Sequence, residues 1–239
     1  MPDIHSHLES EGWPDGAEAW RIKVGAGDET SAVLEPALGA PGRALFVCAH
    51  GAGGHMNDKG TLAASDLLRQ RGVHVVRFNF LYREKGLNAP DPMPRLKDCF
   101  AAVARQARDA VKPDILILGG RSMGGRVASM LAAESYPCDG LLLLAYPLHP
   151  AGQPEKLRDA HLERIGVPVL CLNGTRDALC RRDLMEPIAG RLSNRWTMHW
   201  LEGADHSFHV LKSSGRDDQS VLAEAGEAYD AWLRPAFGD

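Results

Sequence analysis

The chain has 239 residues, 44% of them hydrophobic and 24% charged, with a formal net charge of −4. That length buries a sizeable core without disulfide or metal staples, and the composition excludes collagen-like, coiled-coil and disordered classes. The mild acidity argues against a nucleic-acid binder, which presents a basic patch. Five cysteines (Cys48, Cys99, Cys138, Cys171, Cys180) include no C-x-x-C pair and read as reduced thiols. The polar opening MPDIHSHLESEGWPDG predicts neither a signal peptide nor a transmembrane helix, so the expected location is cytoplasmic.

In chain order, Trp20–Val24 and Thr30–Leu34, joined through Gly25–Asp28, predict an antiparallel hairpin at one edge of a sheet. Apolar runs follow at Ala44–Ala49, Val73–Phe78, Ile115–Leu118, Gly140–Ala145 and Val167–Leu172, with a last strand at Trp196–Leu201. Their apolar character is continuous rather than alternating, which suits parallel strands buried on both faces. Helical spacing appears between them: Ala63, Leu67, Leu68 and Arg71; then Leu96, Phe100, Val103 and Ala107; then Met123–Ser135, Asp183–Leu192, and a final stripe of Leu222, Ala225, Tyr229 and Trp232. Alternating strands and helices predict an α/β fold with right-handed crossovers, occupying 1–239 as a single domain. The segment 147–166 must supply a crossover helix, which itself takes at least about 10–12 residues. Little is left for a lid, so an open site is expected.

Gly120-Arg121-Ser122-Met123-Gly124 matches G-x-S-x-G between a predicted strand and a predicted helix, the setting of a nucleophile elbow. The turn needs small residues two before and two after the serine, and Gly120 and Gly124 supply them. Ser122 then stands at the carboxyl end of a strand, where open α/β sheets bind ligands. A serine hydroxyl needs a base, and the base an orienting acid. His206, in Gly203-Ala-Asp-His-Ser-Phe, is the candidate base. Asp177, in Asn173-Gly-Thr-Arg-Asp, is the candidate acid. Asp205 adjoins His206 too closely to face the same imidazole nitrogen, and Tyr146-Pro-Leu-His-Pro150 offers no carboxylate. His209 is assigned to the start of the next element. The order Ser122, Asp177, His206 is that of the hydrolase arrangement.

His50-Gly-Ala-Gly-Gly54 follows the strand Ala44–Ala49 as a loop whose backbone can approach a ligand. The backbone N–H groups of Ala52 and Met123 are the candidate oxyanion donors, that of Met123 favoured by its helix N-terminus. No Gly-Lys-Ser/Thr follows the loop, which sets aside phosphate cradling. Gly51, Gly53, Tyr82 and Arg83 are candidate substrate contacts, and Arg77, Asn79, Tyr82 and Arg83 a candidate pocket wall. Arg121 is expected to be structural, its side chain directed away from Ser122. Ten histidines form no H-E-x-x-H or close ligand cluster, so no metal is expected, and no cofactor is implied.

The HGAGG loop, the GRSMG elbow, the GTRDAL acid loop and the GADHSF base loop resemble the α/β-hydrolase superfamily. That resemblance implies the α/β-hydrolase fold, a mostly parallel twisted sheet with helices on both faces and a minimal lid. GGRSMGGRVAS, RFNFLYREKG and YPLHPAGQPEKLR are similar to a dienelactone-hydrolase-related branch. That branch includes a testis-expressed hydrolase-like protein and a subunit of a nonspecific-lethal histone acetyltransferase complex. Dienelactone hydrolases proper carry cysteine where this chain has Ser122. The implied activity is a serine hydrolase acting on a small-molecule ester, thioester or similar acyl bond, with no nucleic-acid or membrane partner. Two other readings stand beside it: a non-catalytic interaction module on the same scaffold, and a peptidase.

Overall fold

A computed structural model describes residues 13–39, 42–192 and 194–238. The opening stretch up to residue 12 lies outside the described residues. Two compact units divide the chain between Leu116 and Ile117.

In the first unit, β1 (Glu18–Val24) and β2 (Asp28–Glu35) form the antiparallel hairpin, with Trp20 opposite Ala32. β2 pairs antiparallel with β4 (His74–Phe78), and β4 pairs parallel with β3 (Ala44–Ala49), giving the order β1-β2-β4-β3. Every residue of β3 is buried, as its unbroken apolar run requires. β1 is partly exposed at the edge. The crossover α1 (Lys59–Arg69) packs on β3 and β4. A short helix, α2 (Leu81–Glu84), follows β4. The longer α3 (Met93–Val111) starts after Pro92 and carries Pro94 in its first turn, where a fixed φ is suited, and packs on β1, β2 and β3. Phe78, Phe80 and Phe100 meet in this core at ring separations of 5.1–5.2 Å.

Arg77 is wholly buried and is not a pocket wall. Its guanidinium grips both oxygens of Glu35 at 2.7 and 2.8 Å, and also bonds the Met56 carbonyl and Asn57. Burial alone raises the Glu35 pKa, but the hydrogen bonds and charge of Arg77 outweigh it and hold the carboxyl below its ordinary value. Asn79 is likewise inside, its Oδ1 accepting the Met56 N–H.

β5 (Ile115–Arg121) begins where the Asp114 and Ile115 N–H groups both donate to the Arg43 carbonyl. In the second unit β5, β6 (Gly140–Leu144), β7 (Val169–Gly174) and β8 (Trp196–Leu201) follow one another in spatial order, all parallel. β6 and β7 are buried along their whole length. α4 (Met123–Ala133) packs on β6, α5 (Arg182–Arg191) on β8, and α6 (Asp218–Phe237) on β7 and β8. α6 opens with a capping box between Asp217 and Ser220.

Three of the boundaries that differ from the sequence expectation have local reasons. β7 starts at Val169 because Pro168 has no N–H for the ladder, although its carbonyl accepts the Leu141 N–H. It runs on to Gly174 because Asn173 and Gly174 still pair with Trp200 and Leu201. β6 ends at Leu144 because Ala145 turns to φ +54°. A larger correction concerns 147–166, which forms turns and one 3₁₀ turn at Leu162–Arg164 rather than a crossover α-helix. Pro150, Pro154 and the left-handed Gly152 interrupt any helical run there. The 3₁₀ turn packs on α4.

Candidate functional site

The site begins with the turn at Ser122. Its backbone holds φ +48° and ψ −112°, a conformation L residues avoid. The strained residue is pinned from both sides: its N–H donates to the Leu144 carbonyl at 2.8 Å, and its carbonyl accepts the Arg126 N–H at 3.0 Å. The turn closes because the glycines leave room. A Cβ on Gly125 would lie 2.8 Å from the Gly120 carbonyl oxygen. The side chain of Ser122 makes no cap bond to the helix that follows.

The second side chain comes from the end of β7. Asp177 is buried, its Oδ1 accepting the Leu179 N–H at 2.8 Å and its Oδ2 facing Asn173 Nδ2 at 3.2 Å. The third comes from the loop after β8. His206 places Nδ1 at 2.8 and 3.0 Å from the two Asp177 oxygens, and Nε2 at 2.9 Å from Ser122 Oγ. The carboxylate can only accept, so Nδ1 carries a proton, and in neutral His206 Nε2 is left to accept from the serine hydroxyl. The His206 side chain is 28% exposed and that of Asp177 wholly shielded, so the imidazole meets solvent on one side and a desolvated carboxylate on the other.

Gly174 makes this approach possible. A Cβ there would lie 2.1 Å from the Ala204 carbonyl oxygen, so only glycine lets the loop after β8 come down onto the end of β7. Arg176 N–H then bonds that same carbonyl at 2.9 Å. The His206 loop is folded by Asp205, whose Oδ1 accepts the N–H groups of Ser207 and His209 at 2.7 and 3.0 Å. Arg121 Nη2 donates to the His206 carbonyl at 2.9 Å, and its guanidinium lies over Phe208 at 5.1 Å. Arg121 therefore braces the His206 loop. His209 is paired with Asp218.

Asn173 carries a role that sequence reasoning did not assign. Its Oδ1 accepts the Tyr146 N–H, and its Nδ2 donates both to the Tyr146 carbonyl and to Asp177. It ties the end of β6 to the carboxylate. Its one sequence mark is a polar side chain near the end of an otherwise apolar strand, which does not by itself name the partner it binds.

Met123, as the first residue of α4, has an N–H without an intrahelical acceptor. In the first unit, the loop after β3 closes with Gly54 N–H on the Gly51 carbonyl at 3.1 Å. A Cβ on Gly54 would strike Asp58 Oδ2 at 2.1 Å. The Gly53 N–H donates to the Tyr82 hydroxyl at 3.1 Å, and Ala52 is exposed at the loop tip. The structure thus joins Tyr82 to Gly53, while Arg83 turns onto its own loop at Leu87 and Asn88.

His50 anchors that loop. Its Nε2 accepts the Phe80 N–H at 3.1 Å, so its proton sits on Nδ1, which donates to the Gly51 carbonyl at 2.7 Å. Burial lowers its pKa to about 4. Among the described residues no group of three or more His, Cys, Asp or Glu is placed to hold a metal ion. No helix among them is long and apolar enough to cross a membrane.

Residues 42–234 match the family described as an alpha/beta hydrolase domain. Among solved structures, an alpha-beta serine hydrolase homologue from Coxiella burnetii is 22% identical, with 88% of this chain and 94% of that one covered at a TM-score of 0.71. A serine hydrolase without a lid from Xanthomonas campestris is 22% identical, covering 93% and 96% at a TM-score of 0.72. A dienelactone hydrolase from Anabaena variabilis is 19% identical, covering 92% and 97% at 0.70. The fold is therefore the lid-less α/β-hydrolase fold, a mostly parallel twisted sheet with helices on both faces. With the family match spanning well over half its length, the chain belongs to the alpha/beta hydrolase domain family.

Proposed function

We propose that this protein is a serine hydrolase that cleaves a small ester, thioester or similar acyl bond, with Ser122 as nucleophile, His206 as base and Asp177 as its orienting acid. The observation that carries the reading is the continuous hydrogen-bonded chain from Ser122 Oγ through both ring nitrogens of His206 to buried Asp177.

Ser122 Oγ attacks the substrate carbonyl carbon as His206 Nε2 takes its proton. The carbonyl π bond becomes an oxyanion, held by the N–H of Met123 and, in this reading, of Ala52 as second donor. Collapse expels the alcohol or thiol, which takes the proton back from Nε2 and leaves an acyl-serine. A water, deprotonated by Nε2, then attacks the acyl carbon, and collapse releases the acid as Ser122 Oγ takes the proton back from Nε2. Asp177 fixes the tautomer of His206 and stabilises its positive charge in both halves. Gly51, Gly53 and Arg83 are the substrate contacts of this reading, and wholly buried Tyr82 supports the loop through its bond to Gly53.

We also propose that the two units act as one hydrolase domain. Its place in the family is the dienelactone-hydrolase-related branch of testis-expressed and nonspecific-lethal-complex hydrolase-like proteins, working in the cytoplasm. The test is labelling with a fluorophosphonate probe. Wild-type protein takes up one label and Ser122→Ala takes up none; equal labelling of the two sinks the assignment.

A further inference from the structure

One turn beyond Ser122, Arg126 stands in an environment unlike that of the protein's ion-paired arginines. Arg43, Arg77, Arg95 and Arg216 each pair with a carboxylate. Among the described residues, the Arg126 guanidinium has neither an ion pair nor a hydrogen bond, and its Nε is buried without an acceptor. Helical side chains lean toward the helix N-terminus, so Arg126 leans toward the Ser122 end of α4. A second arginine, Arg158, comes from the turn-rich segment after β6. It too lacks a carboxylate, its Nη1 reaching only the Pro147 carbonyl at 3.4 Å.

The two cations act on each other. Burial and the charge of Arg126 both lower the Arg158 pKa, and the same two influences bring His161 down to about 4. Tyr146, Ser129 and His161 beside them carry no charge, and the carboxylates of Asp159 and Glu134 act on His161. The Tyr146 hydroxyl gives its proton to the Arg158 carbonyl at 2.7 Å. The Ser129 hydroxyl gives its proton to the Arg126 carbonyl at 2.8 Å, so His161 Nε2, also 2.8 Å away, is the donor to Ser129. His161 is thus neutral and fully occupied on that side. What remains is two guanidinium groups, partly desolvated and repelling each other, one of them on the first turn of the helix that follows the nucleophile. Partly buried guanidinium donors left without an acceptor are costly, and two of them side by side match an oxyanion carrying about two negative charges.

We propose that Arg126 and Arg158 form a phosphate-binding subsite beside Ser122 that selects acyl substrates carrying a phosphate monoester. This rests on the hydrolase reading for its substrate meaning, but its test has an arm that needs no turnover. In that arm Ser122→Ala protein is titrated with inorganic phosphate at constant ionic strength, with chloride as control, followed by calorimetry. Saturable binding of phosphate but not chloride is expected, weakened at least tenfold by Arg126→Gln and by Arg158→Gln. Arg158→Lys, which keeps the charge but loses the fork, should fall between. Arg158 lies in the turn-rich segment after β6 rather than within a helix, so its variants keep the test decisive should Arg126→Gln fail to fold.

In the second arm, two aryl esters differing only in a phosphate or a neutral group on the acyl chain are compared. The ratio of their kcat/KM values should favour the phosphorylated ester and fall at least tenfold in Arg158→Gln. Phosphate binding that is absent, or equal in all variants, overturns the subsite. Binding that is lost in the variants while the ester ratio stays constant also overturns it, by showing a site for free phosphate rather than substrate. Absence of any ester turnover together with absent Ser122 labelling defeats the hydrolase reading alone, and the first arm still decides whether the anion is bound.

Discussion

At the scale of single residues, the arrangement separates chemistry from support. Asp177 both orients and charges against His206, and its two functions respond differently to substitution. Asp177→Asn keeps the shape but presents an amide, which turns the imidazole to the wrong tautomer. In the proposed mechanism kcat falls roughly 10⁴-fold with little change in KM, as measured by steady-state kinetics on an aryl ester. Asn173 touches no substrate and positions Asp177. Asn173→Ala removes its bonds to Tyr146 and Asp177, leaving buried groups unsatisfied at about 1–3 kcal/mol. Its signature is a fall in kcat with a displaced acidic limb of the pH–rate profile. A loss of stability with an unchanged profile would make Asn173 merely structural. These residues also mark where the sequence could be read. Ser122 was legible because its requirements are local, small neighbours in one tight turn. Asn173 was not, because its meaning depends on Tyr146 arriving from the adjacent strand β6.

At the scale of elements, the strands could be read from their unbroken apolar runs, since a strand buried on both faces has no polar side to show. Their ends could not. Pro168, Ala145 and the Asn173–Gly174 extension of β7 are decided by ladder partners and single backbone angles. The segment 147–166 has the length of a helical crossover, but its prolines and Gly152 favour turns. That same turn-rich segment brings Arg158 to Tyr146. The contact between elements that matters most for the proposed chemistry is the one at Gly174. Gly174→Ala introduces a Cβ where the Ala204 backbone stands, so the loop after β8 must retreat. A displacement of about 1 Å at a reacting group can cost about 10²-fold. We expect Gly174→Ala to fold with a stability loss of about 1–3 kcal/mol from overpacking, and to lose at least about tenfold in kcat. Wild-type kcat in a folded Gly174→Ala protein would show that the close approach does not set the His206 geometry.

At the scale of the whole molecule, each unit buries a histidine that must stay neutral, and this sets how the protein meets acid. His50 in the first unit and His161 in the second both have pKa values of about 4, lowered by burial from an ordinary 6.5. Asp58 opposes the shift at His50, whereas His55 and Arg83 reinforce it. At His161, Arg126 and Arg164 reinforce it, and Asp159 and Glu134 oppose it. A base whose folded pKa is depressed binds its proton more readily when unfolded. Its stabilising effect is therefore complete above about pH 6.5 and is lost as pH falls toward 4. Each histidine contributes a slope approaching 1.4 kcal/mol per pH unit, on the order of 3 kcal/mol across that window. Glu35, whose folded pKa lies below its ordinary 4.5, adds a further loss only at lower pH. If the two units unfold as one domain, urea unfolding followed from pH 7.5 to 4.5 shows a single transition whose proton uptake near pH 5 comes mainly from His50 and His161, with a share from His74, whose pKa burial also lowers. His161→Gln, whose amide can still donate to Ser129, should bring the uptake down by about one proton. Two separated transitions, each with its own proton uptake, would refute the single-domain proposal while leaving the histidine assignment intact. A stability that stays flat between pH 6.5 and 4.5 would refute the buried neutral histidines themselves.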